Sequence, residues 1–218
     1  TCLLLTTAGW AQNEKAAPKT IIQWPAPVTT KHSITIEGQK INFTATAGHQ
    51  SQVNDKGEKV AEIFFIAYHR EGSDPAKRPI TFSFNGGPGS SSVWLHMGAL
   101  GPKRIVMTEA GGATKPPYGL TDNVYSWLAF TDLVFIDPVE TGYSRPAEGA
   151  DKKEFTGYSE DLRSVGDFIY KYVSTQTRWQ SPKFLVGESY GTTRAAGLSG
   201  YLQDRHGMYL NGIVLVSA

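Results

Sequence analysis

Gly187-Glu188-Ser189-Tyr190-Gly191 sets a serine between two glycines, after the apolar run Phe184-Leu185-Val186 and before a helix-compatible stretch from Thr192. Strand, sharp turn and helix is the context in which G-x-S-x-G presents a nucleophile. The serine backbone is strained there and its neighbours crowd it, so a Cβ on either flank would clash. The turn exposes the Ser189 hydroxyl at the C-terminal edge of a sheet, and the helix N-terminus behind it favours negative charge. The chemistry expected is attack by Ser189 on an acyl carbon.

A second constellation, Asn85-Gly86-Gly87-Pro88-Gly89-Ser90-Ser91-Ser92, follows the apolar run 79–84 directly. It is not a phosphate loop: G-x-x-x-x-G-K-[ST] is absent, no lysine follows before Lys103, and G-x-G-x-x-G is absent too. Acyl transfer by serine needs backbone N–H groups aimed at the developing oxyanion, and glycines let a backbone come that close. The residue after the nucleophile supplies one donor, here Tyr190, and a glycine-rich loop after an earlier strand supplies the other, here Gly87.

The elements that must position these loops are legible in the patterning. Segments 33–36 and 40–46 alternate polar and apolar around Glu37-Gly38-Gln39, as a hairpin does. Segment 59–69 is a third strand and 79–84 a short fourth. Leu133-Val134-Phe135-Ile136 is apolar throughout, as in a strand buried on both faces. Apolar residues recur at helical spacing over 159–173, with Ser159 placed to cap the start. A strand at 183–187, a helix at 192–205 and a strand at 213–216 follow. Antiparallel strands first and strand–helix alternation afterwards argue an α/β class with a mostly parallel sheet.

With 218 residues the chain can bury one good core. Its 21 basic and 20 acidic residues leave a net charge of +1, which gives no field for nucleic acid or an anionic membrane. The basic pairs Lys77-Arg78, Lys103-Arg104 and Lys152-Lys153 are scattered and read as solvated surface. No apolar run approaches the ~20 residues of a membrane span. Residues 1–11, with Cys2-Leu3-Leu4-Leu5 and the small residues Gly9 and Ala11, resemble the end of a secretory signal peptide. The single cysteine would leave with it, which suits export to a bacterial periplasm or exterior. Residues 12–30 read as a flexible lead-in, and 31–218 as one domain.

The two glycine loops, with Tyr125-Ser126-Trp127 and the segment 135–144 (Phe-Ile-Asp-Pro-Val-Glu-Thr-Gly-Tyr-Ser) between them, resemble the serine carboxypeptidase family from about residue 60 onward. The resemblance implies an α/β-hydrolase fold, here its N-terminal part, that removes C-terminal residues from peptides. It carries Ser189 over as nucleophile, Gly87 and Tyr190 as oxyanion donors, and Asn85, Gly86 and Glu188 as the holders of the substrate's terminal carboxylate. A glutamate facing a carboxylate attracts it only when one of them carries a proton, so such a site works best when mildly acidic. No cofactor or metal is implied, and the substrates are peptide or protein C-termini. An acyltransferase and a non-catalytic peptide-binding relative remain as alternatives.

Departures accompany the likeness. Ser90 stands where a cysteine is common, Ser83 where an aromatic is usual, and Ala99 where a glutamate often pairs with the elbow glutamate. Glu140 replaces a glycine. Ser189 also needs a histidine and an acid. Asp204 and His206 follow it, but at the far end of the expected helix; His32, His49, His69 and His96 precede it and read as surface or strand residues. The triad acid and base are therefore expected downstream of Ala218. Arg194 can pair with a substrate carboxylate or, more simply, with a neighbouring acid. Asp137 and Glu140 flank a tight loop without metal-ligand or glycosidase spacing. Trp94 and Tyr143 are candidates for a side-chain pocket, and Trp127 for the core.

Overall fold

The computed structural model describes residues 24–218. The leader expected at 1–11 and the lead-in as far as residue 23 lie outside them. Ten strands form: β1 (Val28–Ile36), β2 (Gln39–Val53), β3 (Lys59–Arg70), β4 (Ile80–Phe84), β5 (Lys103–Ile105), β6 (Leu120–Asp122), β7 (Asp132–Ile136), β8 (Arg145–Pro146), β9 (Lys183–Glu188) and β10 (Gly212–Val216). Helices α1 (Val93–Leu95), α2 (Lys153–Thr156), α3 (Tyr158–Thr175) and α4 (Tyr190–His206) are joined by a π-helical turn, His96–Leu100, and a 3₁₀ turn, Trp127–Ala129. β1 begins within the expected lead-in, because residues 28–30 pair with Ala47, Thr46 and Ala45 of β2.

The main sheet has eight strands, ordered β1-β2-β3-β7-β4-β9-β10 with β8 alongside β3. β1, β2, β3 and β7 pair antiparallel, and β7, β4, β9 and β10 run parallel. β5 and β6 form a separate hairpin pair. All five residues of β4 and all five of β7 are buried, as strands flanked by others and covered on both faces must be.

Alternate residues feed two cores, as the period of two demands. Ile80, Phe82 and Phe84 of β4 and Val134 and Ile136 of β7 pack against Val165, Phe168, Ile169 and Tyr172 of α3 and Leu198 and Leu202 of α4. Leu133 and Phe135 face the other way, with Tyr68, Val186, Leu95, Leu100 and Leu128. Helix α3 covers its predicted span, but Ser159 does not cap it. Gly157, in extended conformation, is the N-cap and no side chain caps the end. A Cβ at Gly157 would overlap the Glu160 carboxylate, so the glycine lets that side chain fold back over the first turn.

At the start of β7, Asp132 anchors a buried polar cluster. Its carboxylate accepts from Arg78 Nε at 2.7 Å, Arg178 Nη1 at 2.6 Å and Arg70 N at 3.0 Å, with His69 Nδ1 at 3.2 Å. Burial alone would raise its pKa; the hydrogen bonds and charges of His69, Arg78 and the Arg70 N–H outweigh that and hold it well below the usual carboxylate range. Arg78 is thus an interior cation and not the solvated surface residue that its pairing with Lys77 suggested.

Candidate active site

Ser189 caps α4 and carries the strained backbone that the motif demands, with φ 55° and ψ −125°. Conformations of this kind cost about 1–3 kcal/mol and persist only where the surroundings impose them. Here the Ser189 N–H donates to Val216 O at 3.0 Å, and the turn is compressed against β4. A Cβ on Gly187 would overlap Gly191 O and lie 2.9 Å from Thr192 N; one on Gly191 would lie 2.9 Å from Phe84 O. Glycine is therefore required at both flanks by close approach, as expected.

The glycine loop comes directly off β4, which pairs parallel with β9, so the two loops emerge side by side from the same sheet edge. A Cβ on Gly86 would sit 2.6 Å from Gly191 N and 2.7 Å from Glu188 O. Gly87 has φ 102°, open to glycine and rarely to other residues. Asn85, Gly87, Ser90, Trp94, Leu95, Glu188 and Ser189 line one cleft of about 430 Å³. Ser189 is exposed to it, and Trp94 stands 70% exposed at its rim. Tyr190 is the first residue of α4, where a backbone N–H has no partner within the helix.

Side chains hold this arrangement from behind. Asn85 donates from Nδ2 to Glu188 Oε2 at 3.0 Å and accepts at Oδ1 from Leu95 N at 3.0 Å. Its own carbonyl accepts from Arg194 Nη1 at 2.7 Å, and Arg194 Nε donates to Asp161 Oδ2 at 2.8 Å. Arg194 is 2% exposed, with its guanidinium 5.2 Å from the Tyr190 ring centroid and 5.3 Å from that of Phe84. It clamps the loop to α3 and α4, and the reading as an ion pair holds over that as a substrate reader. Burial, followed by the nearby Asp161, raises the Tyr190 phenol pKa.

Asp137 likewise works inside the protein. Its Oδ1 accepts from Ser92 N and Ser92 Oγ, both at 2.9 Å, which pins the far end of the glycine loop. Its other oxygen occupies the space a Cβ at Gly142 would need. Glu140 has φ 69°, the left-handed conformation that glycine adopts freely, and its carboxylate meets Lys152 Nζ at 2.7 Å. A glycine is thus compatible with that position, and Glu140 adopts its geometry while adding an exposed ion pair. Tyr143, 67% exposed, stacks edgewise on Phe64, and Trp127 is partly buried against the second core.

Ala99 brings no carboxylate to Glu188, whose side-chain partner is Asn85. The five histidines have partners elsewhere. His32 is 2.7 Å from Thr30 Oγ1, His49 is 3.3 Å from Tyr143 O, and His69 lies between Asp132 and Tyr172. His206 meets Asp167 at 2.9 Å, at the end of α4 opposite Ser189. His96 is neither a surface nor a strand residue. It is buried in the π-helical turn, 2.7 Å from the Tyr68 hydroxyl and tilted against Phe135 with ring centroids 4.4 Å apart. Among the described residues, no histidine hydrogen-bonds Ser189. The backing contacts made by Asp161 and Leu95 carry no motif of their own, while Asp137 stands in the 135–144 segment without a signal for its bond to Ser92; the contacts arise only through packing in the folded chain.

A family model described as serine carboxypeptidase matches residues 36–214. This chain belongs to the serine carboxypeptidase family. Serine carboxypeptidase-like 33 of Arabidopsis thaliana is 28% identical over 166 residues, 71% of this chain and 31% of that protein. Carboxypeptidase Y homolog A of Talaromyces stipitatus is 30% identical over 138 residues, 62% of this chain and 22% of that protein. The chain thus spans about a third or less of the length of these relatives. In fold it is similar to the rice cell wall degrading esterase LipA of Xanthomonas oryzae, with a TM-score of 0.52 at 12% identity over 88% of this chain and 48% of that one. The fold is that of the α/β-hydrolases, seen here with a mixed sheet whose parallel half carries the elbow. No helix among the described residues is long and apolar enough to cross a membrane.

Proposed function

We propose that this chain carries the nucleophile and the carboxylate-reading half of a serine carboxypeptidase. Ser189 Oγ attacks the carbonyl carbon of the last peptide bond while a general base takes its proton. The oxyanion is received by the N–H groups of Gly87 and Tyr190, which are fixed in advance and need no reorganisation as charge develops. The tetrahedral intermediate collapses to an ester on Ser189, and the protonated base donates to the departing amine, so one C-terminal amino acid is released. Water then hydrolyses the ester. Asn85, Gly86 and Glu188 receive the terminal carboxylate of the substrate. Glu188 and that carboxylate attract each other only with a proton between them. Among the described residues no histidine hydrogen-bonds Ser189, so the general base and its orienting acid are not assigned to any of them.

The observation that carries this reading is the convergence of strained Ser189, Gly87 and the Asn85–Glu188 pair on one cleft. A carboxylate already hydrogen-bonded to an amide beside a nucleophile suits a peptide end better than a neutral ester. The test uses the protein carrying this sequence with its complete catalytic apparatus. A fluorophosphonate labels Ser189, the label is lost in Ser189→Ala, and an N-blocked dipeptide is cleaved while its C-terminal amide is cleaved far more slowly. Equal cleavage of acid and amide would remove the carboxylate-reading role, and an unlabelled Ser189 would remove the hydrolase.

A further inference from the structure

Behind the elbow lies a buried cation that does not reach the cleft. Arg194 is 2% exposed and is not one of the residues lining it. It is the fifth residue of α4, close to the helix N-terminus, where the dipole disfavours positive charge. Asp161, also buried, balances it by accepting from Arg194 Nε at 2.8 Å. Stability alone does not call for such a pair, since apolar side chains of similar volume often replace a buried ion pair without loss.

The free arm of the guanidinium is directed at one peptide group. Arg194 Nη1 donates to the Asn85 carbonyl at 2.7 Å, a charge-assisted bond. That carbonyl and the Gly86 N–H are the two ends of a single planar amide. A cation hydrogen-bonded at the oxygen polarises the amide and makes its N–H a stronger donor. Gly86 N–H donates to no group among the described residues. The polar atoms around it are already engaged. Asn85 Oδ1 accepts from Leu95 N, Asn85 Nδ2 donates to Glu188, and Gly86 O accepts from Ser90 N.

The same guanidinium spans both loops of the site. It packs on Phe84, which ends β4 just before Asn85, and on Tyr190, which follows the nucleophile. A loop held on every side, with one donor strengthened from behind, favours an anion in front of that donor. A neutral amide at the same place gains little from the charge.

We propose that Arg194 is a positioning residue that sets the preference for a free terminal carboxylate, polarising the Asn85–Gly86 amide so that the Gly86 N–H grips an anion. This rests on the reading of Asn85, Gly86 and Glu188 as the carboxylate holders. The test assays the protein carrying this sequence, with its complete catalytic apparatus, on an N-blocked dipeptide and on its C-terminal amide. The readout is the ratio of kcat/KM for the acid to kcat/KM for the amide. Arg194→Gln combined with Asp161→Asn removes both charges together and lowers the ratio about tenfold, through a higher KM for the acid, which is the scale of one hydrogen bond to a charged group. Asp161→Asn alone keeps an acceptor for Arg194 Nε and leaves the cation unbalanced, so the ratio rises about threefold or more. Arg194→Lys keeps the charge and retains a ratio above that of the double variant. A purely structural clamp would lower acid and amide cleavage alike in each variant and leave the ratio unmoved. Equal cleavage of acid and amide by the parent would sink the carboxylate reading and this inference with it. A parent that prefers the acid, with the ratio unmoved in the double variant or unmoved or lowered in Asp161→Asn, overturns this inference alone. Should the double variant fail to fold, the direction of change in Asp161→Asn decides.

Discussion

His96 turns mild acid into a stability cost that can be measured. Its imidazole is buried between Tyr68 and Phe135, and burial lowers its pKa from 6.5 to about 4. The unfolded chain therefore takes up a proton near pH 6.5 that the folded chain refuses until about pH 4. Folding stability is full above 6.5, declines as pH falls through that interval, and levels off below about 4 as far as His96 is concerned. At about 1.4 kcal/mol per pH unit the full interval is worth roughly 3 kcal/mol, and roughly 2 kcal/mol is already lost at pH 5. The site feels this loss because the π-helical turn of His96 follows Leu95, whose N–H holds Asn85. His96→Gln keeps a polar partner for the Tyr68 hydroxyl and removes the titration. Urea unfolding at pH 7, 6, 5 and 4.5 compares the two proteins, with equal m-values as the check on two-state behaviour. The variant starts lower at pH 7 but loses about 2 kcal/mol less than the parent between pH 7 and 5, the other histidines cancelling in the difference. Parallel curves would refute the assignment of that slope to His96.

Three further outcomes follow from other contacts. Asp132→Asn leaves Arg78 and Arg178 buried without a charge partner, which costs about 3–5 kcal/mol in denaturant unfolding at pH 7. Because the Asp132 pKa is depressed in the folded state, the parent keeps this stabilisation above the ordinary value of 3.8 and loses it as pH falls below. The cost of the substitution should therefore shrink in strong acid, and a cost independent of pH would contradict the account. Asn85→Ala strands the Leu95 N–H and frees Glu188, for a loss of about 1–3 kcal/mol together with weakened binding of peptide ends; full stability in the variant would show that the loop is held otherwise. Gly187→Ala drives a methyl into the backbone of Gly191 and Thr192, and should fail to yield soluble protein or melt far below the parent, whereas Gly200→Ala, with open space around it, should not.

The features that sequence alone determined are local ones. The elbow and the glycine loop could be read because strain and close approach write themselves into a few adjacent residues, where glycine is the only tolerated choice. Strands β3, β4, β7 and β9 were legible because each carries its own apolar period. The helix cap was misassigned at Ser159, since a serine near a helix start is only a candidate until the chain's entry angle is known, and Gly157 sets that angle. Tertiary structure decided the rest. Nothing in the sequence states that β4 lies between β7 and β9, yet this order brings Asn85 to Glu188 across 103 residues and Asp137 to Ser92 across 45. It also converts Arg194 from a possible substrate contact into a buried clamp, and His96 from a histidine beside a loop into a core residue. A buried charge or imidazole is defined by what surrounds it, and its surroundings come from segments that only the folded sheet brings together.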